Sequence, residues 1–325
     1  MRQKSHELQY LEVLYQRGGL TIDEEKEYWK LLRGYQGEIQ FDQLCYHFLN
    51  TEFAMMDDIT LQLGKSVTQI DKLIAEDKVL WVIDIKNYQG KYKYENNCWT
   101  VNENILSNNI CEQLARVCRI TQQILNQEGI KMTVKGVLVF INPHSEVKIV
   151  DSINELVLSS NQIPQWLMSL KKLSHSVAWQ STIEKYRIPN YRTTRITTAE
   201  HFAKLKKGIR CPNCGSFATK KQHYHTLECS CGCFRVKEKA ILRTISEYGI
   251  IRHDVSLKKK DIHEFIGKEY SLAYVETLLK KHFKRIGDTY CYENKGVSFD
   301  IWFDDKKEYL DSIESRIFGI EKIEN

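Results

Sequence analysis

The stretch VTQIDKLIAEDKVLWVIDIKNYQGKY, residues 67–92, limits the possible folds of this 325-residue chain more than any other segment. It reads as two apolar strands joined by a tight turn, yet Asp71, Asp84 and Lys86 stand where a buried strand takes Val or Ile. An isolated carboxylate buried in a sheet costs several kcal/mol, on the order of a domain's whole stability, unless a charge or a metal offsets it. With Asp77-Lys78 as a two-residue loop, Glu76 faces Val79 and Asp71 comes opposite Asp84. Alternation then puts Leu80, Val82, Asp84 and Lys86 on one face of the hairpin. Two carboxylates about 5 Å apart raise at least one pKa, and a divalent cation removes that penalty.

Oxygen donors of this type suit Mg²⁺ or Mn²⁺, which bind phosphate oxygens and polarise water. Lys86 adds a charge that can stabilise a developing phosphorane or orient the attacking water. An acid, a gap, then acid-x-Lys is the minimal equipment for metal-dependent phosphodiester hydrolysis. The plainer alternative is a cross-strand ion pair of Asp71 with Lys86 at a sheet edge, a much commoner arrangement.

Around the hairpin the pattern is that of an α/β unit. Helical spacing over 5–16 and 22–34 is split by RGGLT, whose glycines end one helix and whose Thr21 caps the next. GEIQFDQLCYHFLN follows as an amphipathic helix, and β-like segments lie at 53–63, 67–75, 79–87 and 91–101. NNICEQLARVCRITQQILNQEG reads as a long helix and MTVKGVLVFINP as a buried strand. The chain divides into an N-terminal helical hairpin (1–33), an α/β domain (34–170), a connector (171–207), a cysteine module (208–238) and a C-terminal module (239–325).

With 42% hydrophobic and 27% charged residues, the chain can build several cores and is not of disordered composition. A net charge of +5 permits a polyanionic partner without requiring one. The N-terminus lacks a signal-type apolar run and VKGVLVFI is too short to span a bilayer, so the expected location is the cytoplasm, with no membrane partner.

The ordered set GYQGEIQFDQL (34–44), QIDKLI (69–74), VIDIKNYQGKY (82–92) and NNICEQLARV (108–117) resembles the nuclease-related domain family, NERD, a branch of the PD-(D/E)XK nuclease-like superfamily. The resemblance covers roughly 34–145. It implies a restriction-endonuclease-like mixed sheet flanked by helices. It further implies Glu38 as the acid on the first helix, Asp71 and Asp84 as metal-binding acids, Lys86 as the catalytic lysine and Gln113 as the polar residue on the following helix. Gln69 belongs to the same fingerprint without a defined role. Two positions depart from the family pattern. Asp84 stands where Glu is usual, one methylene shorter, and Asn109-Ile110 replaces an asparagine-proline pair at a helix start. As isolated residues, Glu38 and Gln113 would be ordinary solvated helix positions.

Five of the ten cysteines fall between 211 and 233. Cys211-x2-Cys214-Gly gives the tight knuckle of a zinc site, and Cys229, Cys231 and Cys233 compete for the two remaining places. Gly232 after Cys231 mirrors Gly215 after Cys214, which favours Cys229 and Cys231, with Cys233 as the alternative. The segment looks like a zinc ribbon. Four thiolates leave no place for water, so its Zn²⁺ is structural. The competing reading is a redox or disulfide cluster, uncommon in a reducing compartment. His223 and His225 lie between the knuckles, as phosphate contacts or substitute ligands. Cys45, Cys98, Cys111, Cys118 and Cys291 have no metal-like spacing and read as buried thiols.

AILRTISEYGII, KKDIHEFIG and SLAYVETLLKKHFKRI read as three helices, and DTYCYENKGVSFDIWF as two strand-like runs, the order of a winged helix-turn-helix. Lys258, Lys259, Lys260, Lys280, Lys281, Lys284 and Arg285 are placed to contact phosphates with salt-sensitive, sequence-independent affinity. The alternative is a small helical bundle with solvated lysines. The expected function is a divalent-metal-dependent endonuclease or nickase acting on DNA, with RNA as the second choice of partner. Its rival is a non-catalytic nucleic-acid-binding or regulatory protein that uses the zinc ribbon and the C-terminal module.

Overall fold

The computed structural model describes residues 2–49, 53–106, 109–171, 178–189, 195–217, 219–221, 224–299, 302–303 and 306–318. Ser5 caps α1 (His6–Arg17) by accepting from the Leu8 amide, and Gly18, at φ 72°, ends it by returning its own amide to Leu14 and Tyr15 carbonyls. Thr21 and Glu24 then cap each other, Thr21 Oγ1 accepting from the Glu24 amide at 3.3 Å and the Glu24 carboxylate from the Thr21 amide at 2.9 Å. From this box α2 (Ile22–Phe48) runs unbroken. The two helices expected over 22–34 and GEIQFDQLCYHFLN are therefore one. Gly34 and Gly37 each weaken it by about 1 kcal/mol relative to Ala without ending it. Gly37 is required where it stands, since a Cβ there would lie 2.5 Å from the Asn87 Cβ.

The chain forms two compact units, Met1–Lys4 with Trp29–Tyr191, and Ser5–Tyr28 with Arg192–Asn325. Thus α1 and the first turns of α2 group with the C-terminal part of the chain, where the sequence had set 1–33 apart.

The first unit continues through β1 (Met55–Leu63), β2 (Ser66–Glu76), β3 (Val79–Lys86), β4 (Gly90–Glu95), β5 (Cys98–Val101), β6 (Asn104–Ile105), α3 (Ile110–Gln127), β7 (Thr133–Phe140), β8 (Ser145–Ile149), β9 (Leu156–Ser159), α4 (Ile163–Ser169), α5 (Trp179–Tyr186) and β10 (Arg187–Ile188). Its main sheet is mixed, in the order β10-β1-β2-β3-β7-β9, with β3, β7 and β9 parallel and the other pairs antiparallel. A smaller sheet runs β6-β5-β4-β8. The single strand expected over 91–101 is a hairpin, because Asn96 and Asn97 both adopt positive φ, 52° and 59°, and turn the chain back. The segment expected as a connector over 171–207 contains α5, whose Trp179 and Ile183 are fully buried, and β10, which pairs with β1.

Each face of the main sheet carries its own core. On one, Leu80, Val82, Leu138 and Phe140 meet Leu114, Val117 and Ile124 of α3 and Trp179 of α5. On the other, Ile83, Ile85, Val137 and Val139 meet Phe41 and Cys45 of α2 and Ile163 of α4. The β2–β3 register is the expected one, Glu76 opposite Val79 and Lys72 opposite Ile83.

Regular alternation fails in one place. Asp57 pairs with Lys72 and Ile59 with Ile70, while Asp58 (φ 46°) and Asp71 drop out of the ladder between them. In consequence Ile70 and Leu73, three residues apart, pack into the same core, as do Met56 and Ile59. Residues three apart on a regular strand face opposite ways, so the pleat slips at these two aspartates. The slip turns Lys72 toward α2.

The second unit holds α6 (Ala199–Lys204), a three-stranded antiparallel sheet of β11 (Thr219–Lys221), β12 (Thr226–Cys229) and β13 (Phe234–Val236), then α7 (Lys237–Ile251), β14 (Leu257–Lys258), α8 (Lys259–Phe265), α9 (Leu272–His282), β15 (Cys291–Tyr292) and α10 (Lys307–Phe318). β15 pairs with β14, and Arg285 bridges to Tyr292. The second strand expected in VSFDIWF is absent among the described residues. Gly296–Ser298 is a 3-10 turn and residues 302–303 are helical, which directs Phe299 and Trp302 into the core. Arg17 of α1 is fully buried in this unit. It bonds Glu247 of α7 at 2.5 and 3.0 Å and the Lys206 carbonyl at 2.7 Å, and lies 3.9 Å over the Phe265 ring.

Glu238 joins α7 to α9 and α10 through bonds from His282 (2.7 Å), Tyr309 (2.9 Å) and Lys281 (3.1 Å). Burial works against its charge, but these donors win and hold its carboxyl down at about 2. A depressed carboxylate contributes stability above its unfolded pKa of about 4.3 and loses it as pH falls toward the folded value. Urea melts from pH 5 to pH 2 are expected to show Glu238→Gln lacking roughly 2 kcal/mol of the parent's pH-dependent loss. An unchanged pH slope would refute the assignment.

Among the described residues no helix is long and apolar enough to cross a membrane.

Candidate active site and cysteine cluster

Four of the five residues singled out for chemistry come together at one end of β3. The ladder between β2 and β3 stops at Lys72 and Ile83, and the Asp71 carboxylate takes over, Oδ2 accepting from the Ile85 amide at 2.8 Å. Asp84 and Lys86 lie on the α3 side of the sheet, in line with Leu80 and Val82, and Asp84 Oδ1 meets Lys86 Nζ at 2.7 Å. Glu38 reaches the same end from α2, which approaches β3 closely because Gly37 has no side chain.

The electrostatics are those of crowded acids. Withdrawal from water, then Asp84 and Glu38, raise the Asp71 carboxyl well above the ordinary carboxylate range. Burial, with added repulsion from Asp58, Asp42 and Asp84, lifts Glu38 to about 7 against the pull of Arg2. Burial also opposes the Lys86 ammonium, but Asp84 and Asp71 more than compensate and hold it charged. Asp84 Oδ2 is buried with no hydrogen-bond partner.

Beside these lies a network the sequence reading missed. The Arg2 side chain, 1% exposed, bonds Glu38 (3.2 Å), both oxygens of Asp42 (2.9 and 3.1 Å) and the Asp71 carbonyl (2.9 Å). Buried Lys72 bonds Asp42 at 2.8 Å and also Asp57. Six carboxylates, Glu38, Asp42, Asp57, Asp58, Asp71 and Asp84, thus crowd three cations, Arg2, Lys72 and Lys86. Asp42, one helical turn after Glu38 in GEIQFDQL, was within reach of sequence reasoning. Arg2, thirty-six residues from Glu38, was not.

Gln113 is exposed near the start of α3 and makes no side-chain hydrogen bond among the described residues. Asn109 caps that helix, accepting from the Cys111 and Glu112 amides, with Ile110 in the first helical position where proline would also fit. Gln69 donates to Asp58 at 2.8 Å, on one side of the pleat slip. Glu38, Asp71 and Asp84 do not bring three carboxylate oxygens within 4.8 Å of one another. Among the described residues only the cysteines meet that condition. Glu38 is instead paired with Arg2 at 3.2 Å.

Residues 33–141 match the family model of the nuclease-related domain, NERD. The match spans about a third of the chain and encloses Glu38, Asp71, Asp84, Lys86 and Gln113. No curated protein and no solved structure matches the chain. Outside the NERD-like segment, function must be read from the residues themselves.

Cys211, Cys214, Cys229 and Cys231 hold their sulfurs within 4.8 Å of one another, a cluster compatible with zinc. Cys211 and Cys231 are 3.9 Å apart and Cys214 and Cys229 3.5 Å, close to the roughly 3.8 Å that Zn–S bonds of 2.3 Å require at tetrahedral angles. Gly215 and Gly232 take matching positive φ, 74° and 78°, and return their amides to the Cys211 and Cys229 carbonyls. Cys233 stands outside the set. Burial opposes the Cys211 thiolate, but the Cys214 and Asn213 amides bring its thiol down to about 6. His225 is exposed, and His223 lies outside the described residues.

Of the C-terminal cations, Lys259 and Lys280 pair with Glu276, Lys281 pairs with Glu238, and Arg285 donates to the Asp288 and Thr289 carbonyls. Lys258, Lys260 and Lys284 are exposed and form no ion pair among the described residues.

Proposed function

We propose that the first unit is a divalent-metal-dependent nuclease that hydrolyses phosphodiester bonds of DNA, as an endonuclease or nickase, and that the second unit holds the nucleic acid. One atom carries this reading: Asp84 Oδ2, buried and unbonded, on the strand end shared with Lys86 and close to Asp71. A buried carboxylate oxygen without a partner is costly, and a cation relieves both that cost and the crowding of acids. The donors are hard oxygens, suited to Mg²⁺ or Mn²⁺; held by Asp71 and Asp84, such an ion would supply Lewis acidity toward a phosphate oxygen and a more acidic water. Lys86, kept charged by its two aspartates, is placed to neutralise charge building on the oxygens around phosphorus. Glu38 completes the acidic side, and Gln113 is assigned a polar contact to the strand.

In the second unit we assign structural Zn²⁺ to the four cysteines. Metal analysis is expected to find one zinc per chain, lost in Cys231→Ser and retained in Cys233→Ser. Loss in both, or retention in both, would contradict the ligand set. The order α7, β14, α8, α9, β15 supports a winged-helix-like module, whose Lys258, Lys260 and Lys284 are available to phosphates.

A non-catalytic nucleic-acid-binding protein is the second reading, and Arg2 favours it, because it already neutralises Glu38 and Asp42. One assay separates the two: cleavage of labelled DNA with Mg²⁺ or Mn²⁺, wild type beside Asp84→Ala. A wild type inert with both metals on linear, nicked and single-stranded DNA ends the catalytic reading.

A further inference from the structure

A pocket in the second unit, where the cysteine module meets α7, has a mostly apolar lining that includes Ile209, Leu227 and Val236, with Arg210, Arg235, Lys239 and Arg243 around it. Lys239 is neutralised by Glu314 at 2.5 Å and Asp311 at 3.7 Å. Arg235 and Arg243 have no such partner among the described residues, and Arg210 has only a long one. Glu247, the carboxylate that faces them, gives one oxygen to Arg17, and its other lies 3.8 Å from Arg210 Nε, beyond hydrogen-bond length. Arg235 and Arg243 make no side-chain hydrogen bond or ion pair among the described residues. The Nε atoms of Arg210 and Arg235 are shut off from water with no acceptor. Partial burial works against the charge of Arg243, and Arg235 and Arg210 add to it against the attraction of Glu247 and Glu314.

Buried guanidinium groups almost always have acceptors, and a rigid fork of N–H donors matches the oxygens of a phosphate. Arg210 and Arg235, each with an Nε that lacks an acceptor, line one cavity with exposed Arg243, and Glu247 and Glu314 leave positive charge there that an anion would complete. The cavity offers about 30 Å³ of space to the centre of a water molecule, and a single water needs roughly 10–15 Å³ by that measure. It admits a few heavy atoms, the size of a phosphate, and no nucleobase. Arg243 is exposed at its rim, so a phosphate on a longer chain can reach it.

We propose that Arg210, Arg235 and Arg243 form a phosphate-binding pocket that holds one phosphodiester of a nucleic-acid strand. The identity of the strand rests on the nucleic-acid reading above, whereas the pocket does not depend on catalysis. Exposed Lys258, Lys260 and Lys284 of the same unit supply further phosphate contacts.

The test uses the full-length, zinc-loaded protein carrying Asp84→Ala, so that nothing is cleaved, and a fluorescein-labelled 20-mer DNA followed by anisotropy at several salt concentrations. Adding Arg243→Ala is expected to weaken binding about tenfold and to lower the salt slope by about one, with melting temperature and zinc content unchanged. Arg235→Gln should act in the same direction, and Arg243→Lys should restore part of the affinity. Inorganic phosphate should compete with DNA less well for the Arg243→Ala protein than for its parent. Unchanged affinity and slope in both arginine variants, or no DNA binding by the parent, overturns the pocket. Phosphate binding lost while DNA affinity stays constant overturns the assignment to a strand. If the wild type cleaves nothing yet Arg243→Ala still weakens DNA binding, the catalytic reading fails and the pocket stands.

Discussion

In a cleavage assay with Mg²⁺ or Mn²⁺, Asp84→Ala is expected to lose at least about 10³-fold of the wild-type rate, since metal stabilisation of the transition state is worth several kcal/mol and each 1.36 kcal/mol is tenfold. Its stability should fall less than that of Lys86→Ala. The substitution takes Oδ1 from Lys86, but it also removes Oδ2, which has no partner, and lessens the repulsion on Asp71, which stays beside Lys86. Lys86→Ala should abolish cleavage too, yet lower stability, because it leaves Asp71 and Asp84 facing each other with no cation between them. The contrast is the discriminating result. If both variants lose activity only in proportion to lost fold, as read by melts run beside the assay, the residues are structural and the second reading gains.

The largest expected loss of stability lies in the second unit. Arg17→Met leaves Glu247 buried with Arg210 only at 3.8 Å and strips the Lys206 carbonyl of its 2.7 Å donor. Breaking a buried pair from one side typically costs 3–5 kcal/mol, about a third or more of a domain's stability. Adding Glu247→Leu removes the stranded charge and should recover part of that loss. It cannot recover all, because the carbonyl stays unbonded. Urea unfolding of the two variants reads both numbers. A cost for Arg17→Met within 1 kcal/mol of zero would mean that water reaches Glu247 and that the helix is held by its apolar contacts alone.

What the sequence makes legible here is local or symmetric. The β2–β3 register follows from a two-residue turn and a period-two pattern, both contained in twenty residues, and the structure keeps it. The cysteine set follows from the repeated Cys-Gly step, because a positive-φ glycine after a ligand is what each knuckle needs. Non-local pairing escapes such reasoning. Arg2 reaches Glu38 and Asp42 from the start of the chain, and no spacing announces it. Phe299 and Trp302 look like strand residues in VSFDIWF because their apolar character carries no backbone information, yet residues 296–299 and 302–303 are helical and both side chains are buried. Asn96-Asn97 is a turn signal of the ordinary kind, two residues that tolerate positive φ between the strands they join.

Because side-chain alternation slips at Asp58 and Asp71, Ile70 and Leu73 enter one core while Lys72 between them turns to Asp42 on α2. The length of β1 and β2 therefore matters as much as their composition. Deleting Asp58 alone would remove the unpaired position from β1 and leave Asp71 without its counterpart, shifting one strand past the other by a residue. Related chains should accept insertions at the Asp77 turn and tolerate almost any apolar exchange along β2, yet keep the count of residues between Met56 and Ile59 and between Ile70 and Leu73 constant.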